Sequence, residues 1–233
     1  MSDLTVWCVN VGDKYSPSYV YALKEMVERH LTIPHRFRCI TTHHLPGINT
    51  VNPFVPYQGW WSKFSLFAPM VATGPSIYFD LDVIITGNID YLADYTDTFS
   101  APPNWAASGH GGIQSSIMCW PGNWNYFYDE IRKVWPGKTT EDGYKIFHGD
   151  KFNGEKIWGD QEFFWHLLKD DWRRINKGIY SYKYHVRNNG KLPKDSRIIV
   201  FHGPPKPHEI NEPWMSQSIY QKPSAIKQNI SCG

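Results

Sequence analysis

Short apolar segments alternate with helix-like segments along the chain, and this alternation constrains the fold more than any other feature. Leu4–Val9 and Arg36–Thr41 have the pattern of strands, and between them an apolar stripe with helical spacing runs from Val20 to Leu31. We expect this first helix to begin at Pro17, with Ser16 as its cap. Strands that alternate with helices are typical of an α/β fold with a mixed, mostly parallel sheet flanked by helices.

The remaining predicted elements continue the same alternation. We expect residues 1–214 to form one domain and the polar residues 215–233 to form a C-terminal tail. In chain order, the predictions are a short helix in Gly59–Pro69, strands at Ile77–Asp80, Val83–Ile85 and Ser115–Trp120, a helix near Trp124–Val134, a helix after Gly159, and strands at Tyr180–His185 and Arg197–Phe201.

The composition argues against several classes of partner. The chain has 24 Lys and Arg against 22 Asp and Glu, so overall charge gives no strong attraction to nucleic acid, although it does not exclude it. No apolar run reaches membrane-spanning length, and the N-terminus lacks the pattern of a signal peptide. Four cysteines without C-x-x-C spacing indicate a reduced protein. We therefore predict a cytoplasmic protein with no membrane span.

Two carboxylates interrupt the most apolar strand, "SIYFDLDVII". Along an extended chain, Asp80 and Asp82 share a face about 6.5–7 Å apart, while Leu81 points to the opposite layer. Ligands usually bind where strands end at the carboxyl edge of an α/β sheet, and two acids there attract a hard cation such as Mn²⁺ or Mg²⁺. A D-x-D pair is common, and two solvated aspartates beside a turn are the alternative interpretation.

Charge is unevenly distributed along the chain. Between Asp80 and Asp97 there are five aspartates and no Lys or Arg, whereas between Arg173 and Lys206 there are nine Lys and Arg and one acid, Asp195. An acidic strand end that holds a metal, together with a basic segment, suits a diphosphate ligand. The alternative is that both runs form solvated surfaces.

Three motifs in order resemble a known enzyme family. "IYFDLDVIITGNIDYL", "GDQEFF" and "FHGPPKPHE" are similar to the D-x-D strand, the Asp-Gln helix start and the late His-Gly-Lys element of GT-A fold glycosyltransferases, most of all family eight, the glycogenin and bacterial galactosyltransferase group. The resemblance implies a Rossmann-like GT-A fold. It also implies a metal-dependent enzyme that transfers a sugar from a nucleotide diphosphate donor, a UDP-sugar, to a hydroxyl acceptor with retention.

The resemblance implies a metal site made of Asp80, Asp82 and His202, which would hold Mn²⁺ or Mg²⁺. The chain departs from the family pattern at this point. His202 directly precedes Gly203, whereas the family has its histidine three positions before the glycine, where this chain has Val200. His208 stands where the family has Trp.

Donor binding is assigned to two regions. In such a fold the loop "NVGDKYS" after the first strand lies beside the nucleoside, so Tyr15 is expected to stack on the base, and Asn10 or Asp13 to contact base or ribose. The same loop could be a plain turn.

The diphosphate is assigned to a second group of residues. Lys206 lies between prolines after Gly203, which permits close approach to a ligand, and Lys63 lies among aromatic residues. Leu81, between the two aspartates, completes the predicted donor site. For each lysine the alternative is a structural role, in a turn for Lys206 and covering aromatic rings for Lys63.

Asp160 and Gln161 open a predicted helix, and the resemblance makes them the catalytic candidates. Asp160 is expected to face the sheet, where it could contact the sugar or stabilise developing oxocarbenium charge. It could instead serve only as a helix cap. Gln114–Ser116 fall where the family approaches the donor sugar.

A late basic segment, "SYKYHVR", leaves two roles open. If it is a strand, Lys183, His185 and Arg187 share one face, and Tyr182 and Tyr184 share the other. This face could bind phosphate or acceptor, or it could be the charged outer side of an edge strand.

Two other functions remain open at this point. "YFDLDVII" also fits the first motif of haloacid dehalogenase-type phosphatases, although that motif normally lies on the first strand and here more than 70 residues precede it. A non-catalytic sugar-binding module would account for the aromatic content. The acceptor stays open among glycan, lipid-linked sugar, protein and modified DNA.

Overall fold

A computed structural model gives the structure of the chain and describes residues 3–54, 59–105, 112–134, 151–152, 155–157 and 159–215. The predicted tail therefore lies outside the described residues from 216 onward. Three α-helices are described, together with twelve short strands. The elements are β1 Leu4–Asn10, α1 Ser18–His30, β2 His35–Thr41, β3 Asn49–Val51, β4 Ser76–Phe79, β5 Val83–Ile85, β6 Ser100–Ala101, β7 Ile117–Trp120, α2 Asn125–Val134, β8 Lys151–Phe152, β9 Glu155–Lys156, α3 Asp160–Leu168, β10 Arg173–Arg174, β11 Ile179–Ser181 and β12 Ile198–Val200.

Shorter helical turns complete the described structure. Three 3₁₀ helices span Gly59–Phe67, Asp90–Tyr95 and Pro207–Glu209, and a π-helical turn spans Tyr182–Val186. None of the helices in the described part of the chain combines the length and the apolar character that a membrane-spanning segment needs.

The central sheet has seven strands in the order β10-β6-β7-β4-β1-β2-β3. β1 is parallel to both of its neighbours, β2 and β4, whereas β7 is antiparallel to β4 and β6. This arrangement confirms the predicted mixed, mostly parallel sheet. Because β1 and β4 are parallel neighbours, the loops that follow their carboxyl ends, after Asn10 and after Phe79, open at the same edge.

Alternation along the strands divides the apolar residues between the two faces of the sheet. On β1, Val6 and Cys8 pack in the cluster that includes α1, whereas Trp7 packs in a second, ring-rich cluster. In that second cluster Phe64 and Phe164 stack with ring centroids 4.7 Å apart. Each fully buried large side chain of this kind stabilises the fold by about 1.5–3 kcal/mol.

The two strands predicted at Ile77–Asp80 and Val83–Ile85 are confirmed, but the residues between them are not extended, so the prediction that Asp80 and Asp82 share one face of an extended chain is wrong. β4 ends at Phe79, Leu81 and Asp82 form a turn, and β5 then joins a different sheet of three strands, in the order β11-β12-β5. The chain changes sheets here because β5 pairs antiparallel with β12. The two aspartates therefore lie where the large sheet meets the small one.

Two local predictions are also wrong. Helix α1 begins at Ser18 with Pro17 in the cap position, so Ser16 lies before the cap. The predicted strand Tyr180–His185 ends at Ser181, after which the backbone forms the π-helical turn. Alternation therefore does not apply after Ser181, and Lys183, Tyr184 and His185 are all exposed.

Candidate active site

A cavity of about 460 Å³ opens at the edge where β1 and β4 end. It lies between the D-x-D turn, the start of α3 and the loop after β12. Of the residues predicted from the sequence, Asp13 is exposed and is not among those that line the cavity. The predicted residues that line it are Asn10, Tyr15, Lys63, Asp80, Leu81, Asp82, Gln114, Ser115, Ser116, Asp160, Gln161, His202, Gly203 and Lys206.

Asp82 is held by two side chains that come from distant parts of the chain. Its Oδ2 accepts hydrogen bonds from Lys206 Nζ at 2.5 Å and from the Tyr15 hydroxyl at 2.7 Å. Burial and the neighbouring charge of Asp80 nevertheless raise the pKa of Asp82, since Lys206 offsets them only in part. This carboxylate therefore lies in a setting that favours additional positive charge.

Asp80 has a different set of partners. The Tyr78 hydroxyl donates to its Oδ1 at 2.5 Å, and Lys63 Nζ lies 3.3 Å from the same atom. Burial raises the pKa of Asp80, but the charge of Lys63 and hydrogen bonds from Tyr78 and Ser116 outweigh that effect and lower it. Asp80 is thus held as a carboxylate at the cavity wall, with its side chain 27% exposed.

Lys63 connects the D-x-D turn to the start of α3. Its ammonium group is buried and lies 2.7 Å from Asp160 Oδ2, besides its contact with Asp80. Ser115 Oγ completes the network, since it lies 3.1 Å from Lys63 Nζ and donates to Asp160 Oδ2 at 2.5 Å. Burial acts to lower the pKa of Lys63, but the charges of Asp160 and Asp80 raise it. Lys63 therefore stays charged within the wall of the cavity.

The start of α3 is fixed by the residues around Asp160. The Gly159 N–H donates to Glu162 Oε2 at 3.1 Å, which satisfies a backbone donor at the helix N-terminus. Gln161 Oε1 accepts from the Ser115 N–H at 3.3 Å. Asp160 is the first residue of the helix rather than its cap, and its side chain is directed to Lys63 and Ser115.

The wall formed by the loop after β1 has an unsatisfied polar atom. Asn10 is buried at 2% exposure, and among the described residues its Nδ2 has no hydrogen-bond partner. Tyr15 and Trp60 line the same part of the cavity, with Lys14 Nζ lying 5.1 Å and 6.0 Å from their ring centroids. A buried donor without a partner normally needs an acceptor from water or ligand, so this wall suits a polar planar ligand.

His202 lines the cavity, and its ring contacts Ser181 and Trp105. Its Nε2 is 2.6 Å from Ser181 Oγ, and its ring stacks on Trp105 at 5.7 Å with an interplanar angle of 20°. Burial, followed by the positive charges of Lys183 and Lys206, lowers the pKa of His202. Within the described ranges no group of three or more His, Cys, Asp and Glu side chains is arranged to hold a metal ion.

The loop after β12 brings Lys206 over the cavity. The Lys206 N–H donates to Glu209 Oε2 at 2.5 Å, and the Glu209 N–H donates back to the Lys206 carbonyl at 2.9 Å. Beyond it, His208 Nδ1 is hydrogen-bonded to the Tyr19 hydroxyl on α1. Gly203 has a φ of +76°, a conformation that favours glycine, where the loop turns.

Several residues that line the cavity were not predicted from the sequence, and three of them carry a long cationic or an aromatic side chain. These three are Lys14, Trp60 and Tyr78. Tyr78 precedes Asp80 by two residues in the predicted strand Ile77–Asp80, so alternation alone could have placed both on one face. Lys14 adjoins Tyr15 in the predicted nucleoside loop, but nothing in the pattern distinguishes it from a solvated lysine.

Comparison with known proteins identifies the fold. No protein-family model matches the chain, and no curated protein matches it. Among solved structures, the glycosyltransferase GlyE of Streptococcus pneumoniae matches with a TM-score of 0.61 and 13% identity, covering 89% of this chain and 56% of the GlyE chain. The chain therefore spans little more than half the length of GlyE.

LgtC matches over nearly its full length. An active-site mutant of LgtC has a TM-score of 0.58 and 14% identity, with 92% of each chain covered. The galactosyltransferase LgtC in complex with donor and acceptor sugar analogs has a TM-score of 0.57 and 16% identity, covering 88% of this chain and 89% of that chain. The chain has the GT-A fold, similar to that of the family eight group, which confirms the predicted fold class.

Proposed function

We propose that the chain is a metal-dependent glycosyltransferase that moves a sugar from a nucleotide diphosphate donor, a UDP-sugar, to a hydroxyl acceptor. One observation carries the proposal: a single cavity is lined by three carboxylates and three ammonium groups. These are Asp80, Asp82, Asp160, Lys14, Lys63 and Lys206. The acids suit a cation and a developing positive charge, and the lysines suit a diphosphate.

The carboxylate oxygens of the D-x-D turn are suitable ligands for Mn²⁺ or Mg²⁺. Asp80 and Asp82 offer hard carboxylate oxygens at one turn. Burial and the charge of Asp80 raise the pKa of Asp82, an effect that a bound cation would offset. When bound, the ion supplies charge that neutralises the diphosphate as it departs. We propose His202 as a further ligand, and it would have to exchange its hydrogen bond with Ser181 for the metal.

Lys206 and Lys63 have different roles in this proposal. Lys206 lies on a loop and is paired with Asp82. When the donor enters, its ammonium group can therefore move from that carboxylate to the diphosphate. Lys63 is buried between Asp80 and Asp160 and cannot leave them without exposing two unpaired charges. Lys63 therefore holds the metal-binding turn and α3 at a fixed separation and contributes its charge to the phosphate site from there.

Asp160 and Gln161 act on the donor sugar. The Asp160 carboxylate lines the cavity beside Lys63, so it can stabilise positive charge that develops at the anomeric carbon. The acceptor hydroxyl attacks that carbon while the bond from carbon to the diphosphate oxygen breaks, and the proton of the hydroxyl passes to the departing diphosphate. Retention of configuration is proposed from the resemblance to family eight.

The loop after β1 receives the nucleoside. Asn10 Nδ2 supplies an unused buried donor for a base or ribose oxygen, and the Tyr15 and Trp60 rings offer aromatic surface. We propose uridine from the resemblance to family eight, and the aromatic and amide groups of this wall can contact such a base. Asp13 is exposed and would reach the donor only through movement of the loop.

A product assay tests this function. The protein is incubated with UDP-, GDP- and ADP-sugars, with and without MnCl₂, and free nucleotide is measured. We expect Mn²⁺-dependent release of UDP that Asp82→Asn abolishes while circular dichroism shows an unchanged fold. Turnover that persists in Asp82→Asn overturns the proposal. Hydrolysis of p-nitrophenyl phosphate without sugar-nucleotide turnover would instead support a phosphatase.

A further inference from the structure

The π-helical turn after β11 presents an aromatic and basic surface beside the donor cavity. Tyr184 is 47% exposed, and Lys183 and His185, its neighbours, are also exposed. Lys183 Nζ lies 5.5 Å from the Tyr184 ring centroid. Single π-helical turns are frequent at functional sites.

Two aromatic residues from other elements extend this surface toward the cavity. The Trp105 ring stacks on His202 and meets His185 edge-on at 6.2 Å. The Tyr184 and His202 rings lie 5.4 Å apart. Trp105, Lys183, Tyr184, His185 and His202 thus form one continuous surface, the acceptor platform. It adjoins the donor cavity because His202 belongs to both.

Hydrogen bonds from one buried residue fix the platform. Ser181 Oγ accepts the Tyr184 N–H at 3.2 Å and lies 2.6 Å from His202 Nε2. The Ser181 N–H also donates to His185 Nδ1 at 3.0 Å. Ser181 therefore sets the backbone of the π-helical turn and the His185 ring, and it also holds the His202 ring as long as that ring binds no metal ion. A surface held in this way is preformed, which lowers the entropic cost of binding a ligand.

Lys183 gives the platform its positive charge, and two acids of the same region are hydrogen-bonded to tyrosine hydroxyls rather than paired with it. Asp195 accepts a hydrogen bond from the Tyr180 hydroxyl at 2.6 Å, and Glu212 accepts one from the Tyr182 hydroxyl at 2.8 Å. Within the described ranges Lys183 has no ion pair with any acid. Its ammonium group is therefore available to an anion from solution.

We propose that the acceptor platform binds the acceptor sugar and selects acceptors that carry an anionic group, a phosphate or a carboxylate. This inference rests on the proposed glycosyltransferase function. The exposed Tyr184 ring offers an apolar surface to the C–H face of a pyranose, and Lys183 pairs with the anionic group. His202, at the boundary, places the bound sugar next to the donor cavity so that a hydroxyl can reach the anomeric carbon.

Nuclear magnetic resonance of tryptophan indole N–H groups tests the proposal on the whole chain. The Trp105 and Trp60 signals are assigned with Trp105→Phe and Trp60→Phe. UDP with Mg²⁺ is added first, and a shift of the Trp60 signal reports donor binding. The loaded protein is then titrated with glucose 6-phosphate, glucuronic acid and methyl glucoside, which separate phosphate, carboxylate and neutral sugars.

We expect the Trp105 signal to shift with at least one anionic sugar, at a dissociation constant about ten-fold or more below that for methyl glucoside. Lys183→Met should remove this preference. Lys177→Met is the matched control, because Lys177 is exposed in the same basic segment but outside the platform, and it should keep the preference.

Several results would overturn the inference. These are equal binding of all three sugars, a preference that survives Lys183→Met, no Trp105 shift with any sugar, and a shift at Trp60 in place of Trp105. If the protein binds UDP but shows one of these results, the acceptor-platform inference is wrong and the proposed donor site stands. Failure of UDP to bind counts against the proposed function itself.

Discussion

Lys206 and Asp82 lie 124 residues apart in the chain, yet their side chains form an ion pair of 2.5 Å across the mouth of the cavity. Lys206 is 19% exposed and Asp82 is 9% exposed, so the pair is largely shielded from water. The pair fixes the loop after β12 against the D-x-D turn. In the proposed donor complex, the same ammonium group binds phosphate and the same carboxylate binds the metal, so the pair must separate when the donor binds.

The first prediction concerns Lys206. Lys206→Met should lower kcat/KM for UDP-sugar turnover by about 10- to 100-fold, because a charge-assisted hydrogen bond to phosphate is worth about 1.5–3 kcal/mol. Lys194→Met changes an exposed lysine of the same basic segment and should leave turnover unchanged. Equal kcat/KM for Lys206→Met and the wild type would mean that Lys206 does not contact the diphosphate.

Lys63 gives the second prediction, on stability. Lys63→Met leaves Asp80 and Asp160 without their shared buried ammonium group, and removal of one partner from a buried ion pair costs about 3–5 kcal/mol. The free energy of unfolding from urea titration should fall by that amount. The double variant Lys63→Met/Asp160→Asn should recover part of the loss because one unpaired charge is gone.

A matched surface change provides the control for Lys63. Lys24→Met breaks an exposed ion pair with Glu28 on α1, which should cost no more than about 0.5 kcal/mol. Comparable losses for Lys24→Met and Lys63→Met would show that the buried network does not hold the cavity wall.

Two glycines with similar backbone conformations should respond differently to a methyl group. Gly122 has a φ of +97°, and a Cβ there would lie 2.5 Å from backbone atoms of Thr73 and Gly74. Gly47 has a φ of +75°, but a Cβ there would meet no atom within 4 Å. Gly47→Ala should therefore cost only the conformational strain, about 1–2 kcal/mol.

Gly122→Ala should cost more than Gly47→Ala by about 1–3 kcal/mol, because the backbone must move to accept the methyl group. Thermal unfolding of both variants measures the difference. Equal melting temperatures would show that the contact between the Gly122 turn and Gly74 is not tight in solution.

Asp90 gives a prediction for pH. Burial acts to raise the pKa of Asp90, but hydrogen bonds from Asn88 and Thr32 outweigh it, so the pKa is lowered in the folded protein. The stability that this carboxylate contributes is therefore complete above its unfolded pKa of about 3.9 and is lost as pH falls through the folded pKa. Asp90→Asn should be less stable than the wild type at pH 6, and the difference should shrink below about pH 4.

Urea unfolding at several pH values checks this prediction. Asp94→Asn, an exposed change on the same 3₁₀ helix, should alter the free energy of unfolding by less than about 0.5 kcal/mol. A constant difference between Asp90→Asn and the wild type from pH 3 to pH 7 would contradict the assignment.

Local patterns in the sequence predicted much of the fold and several walls of the cavity. Alternation of apolar runs and helical stripes predicted a mostly parallel sheet, and the order of three short motifs predicted the GT-A fold. Asp80, Asp82, Asp160 and Lys206 line one cavity because the carboxyl edge of a sheet gathers segments that are far apart in the chain.

The pattern could not predict how these segments meet. Strand alternation did not indicate that β11 ends at Ser181. The strand ends there because Ser181 Oγ accepts a hydrogen bond from the Tyr184 N–H and contacts the His202 ring, which stabilises the π-helical turn. The pairing of Lys206 with Asp82 depends on the path of a loop rather than on any local period. From the sequence, Lys63 could not be distinguished from a lysine that only covers aromatic rings.

The central claim is that Asp80 and Asp82 hold a divalent ion that bridges to a diphosphate. Calorimetric titration of UDP into the protein, with and without MnCl₂, tests it most directly when Asp82→Asn is measured alongside the wild type. We predict that Mn²⁺ tightens UDP binding at least about ten-fold in the wild type and has no effect in Asp82→Asn. UDP affinity that is independent of Mn²⁺ in the wild type, or equally enhanced in Asp82→Asn, would contradict the claim.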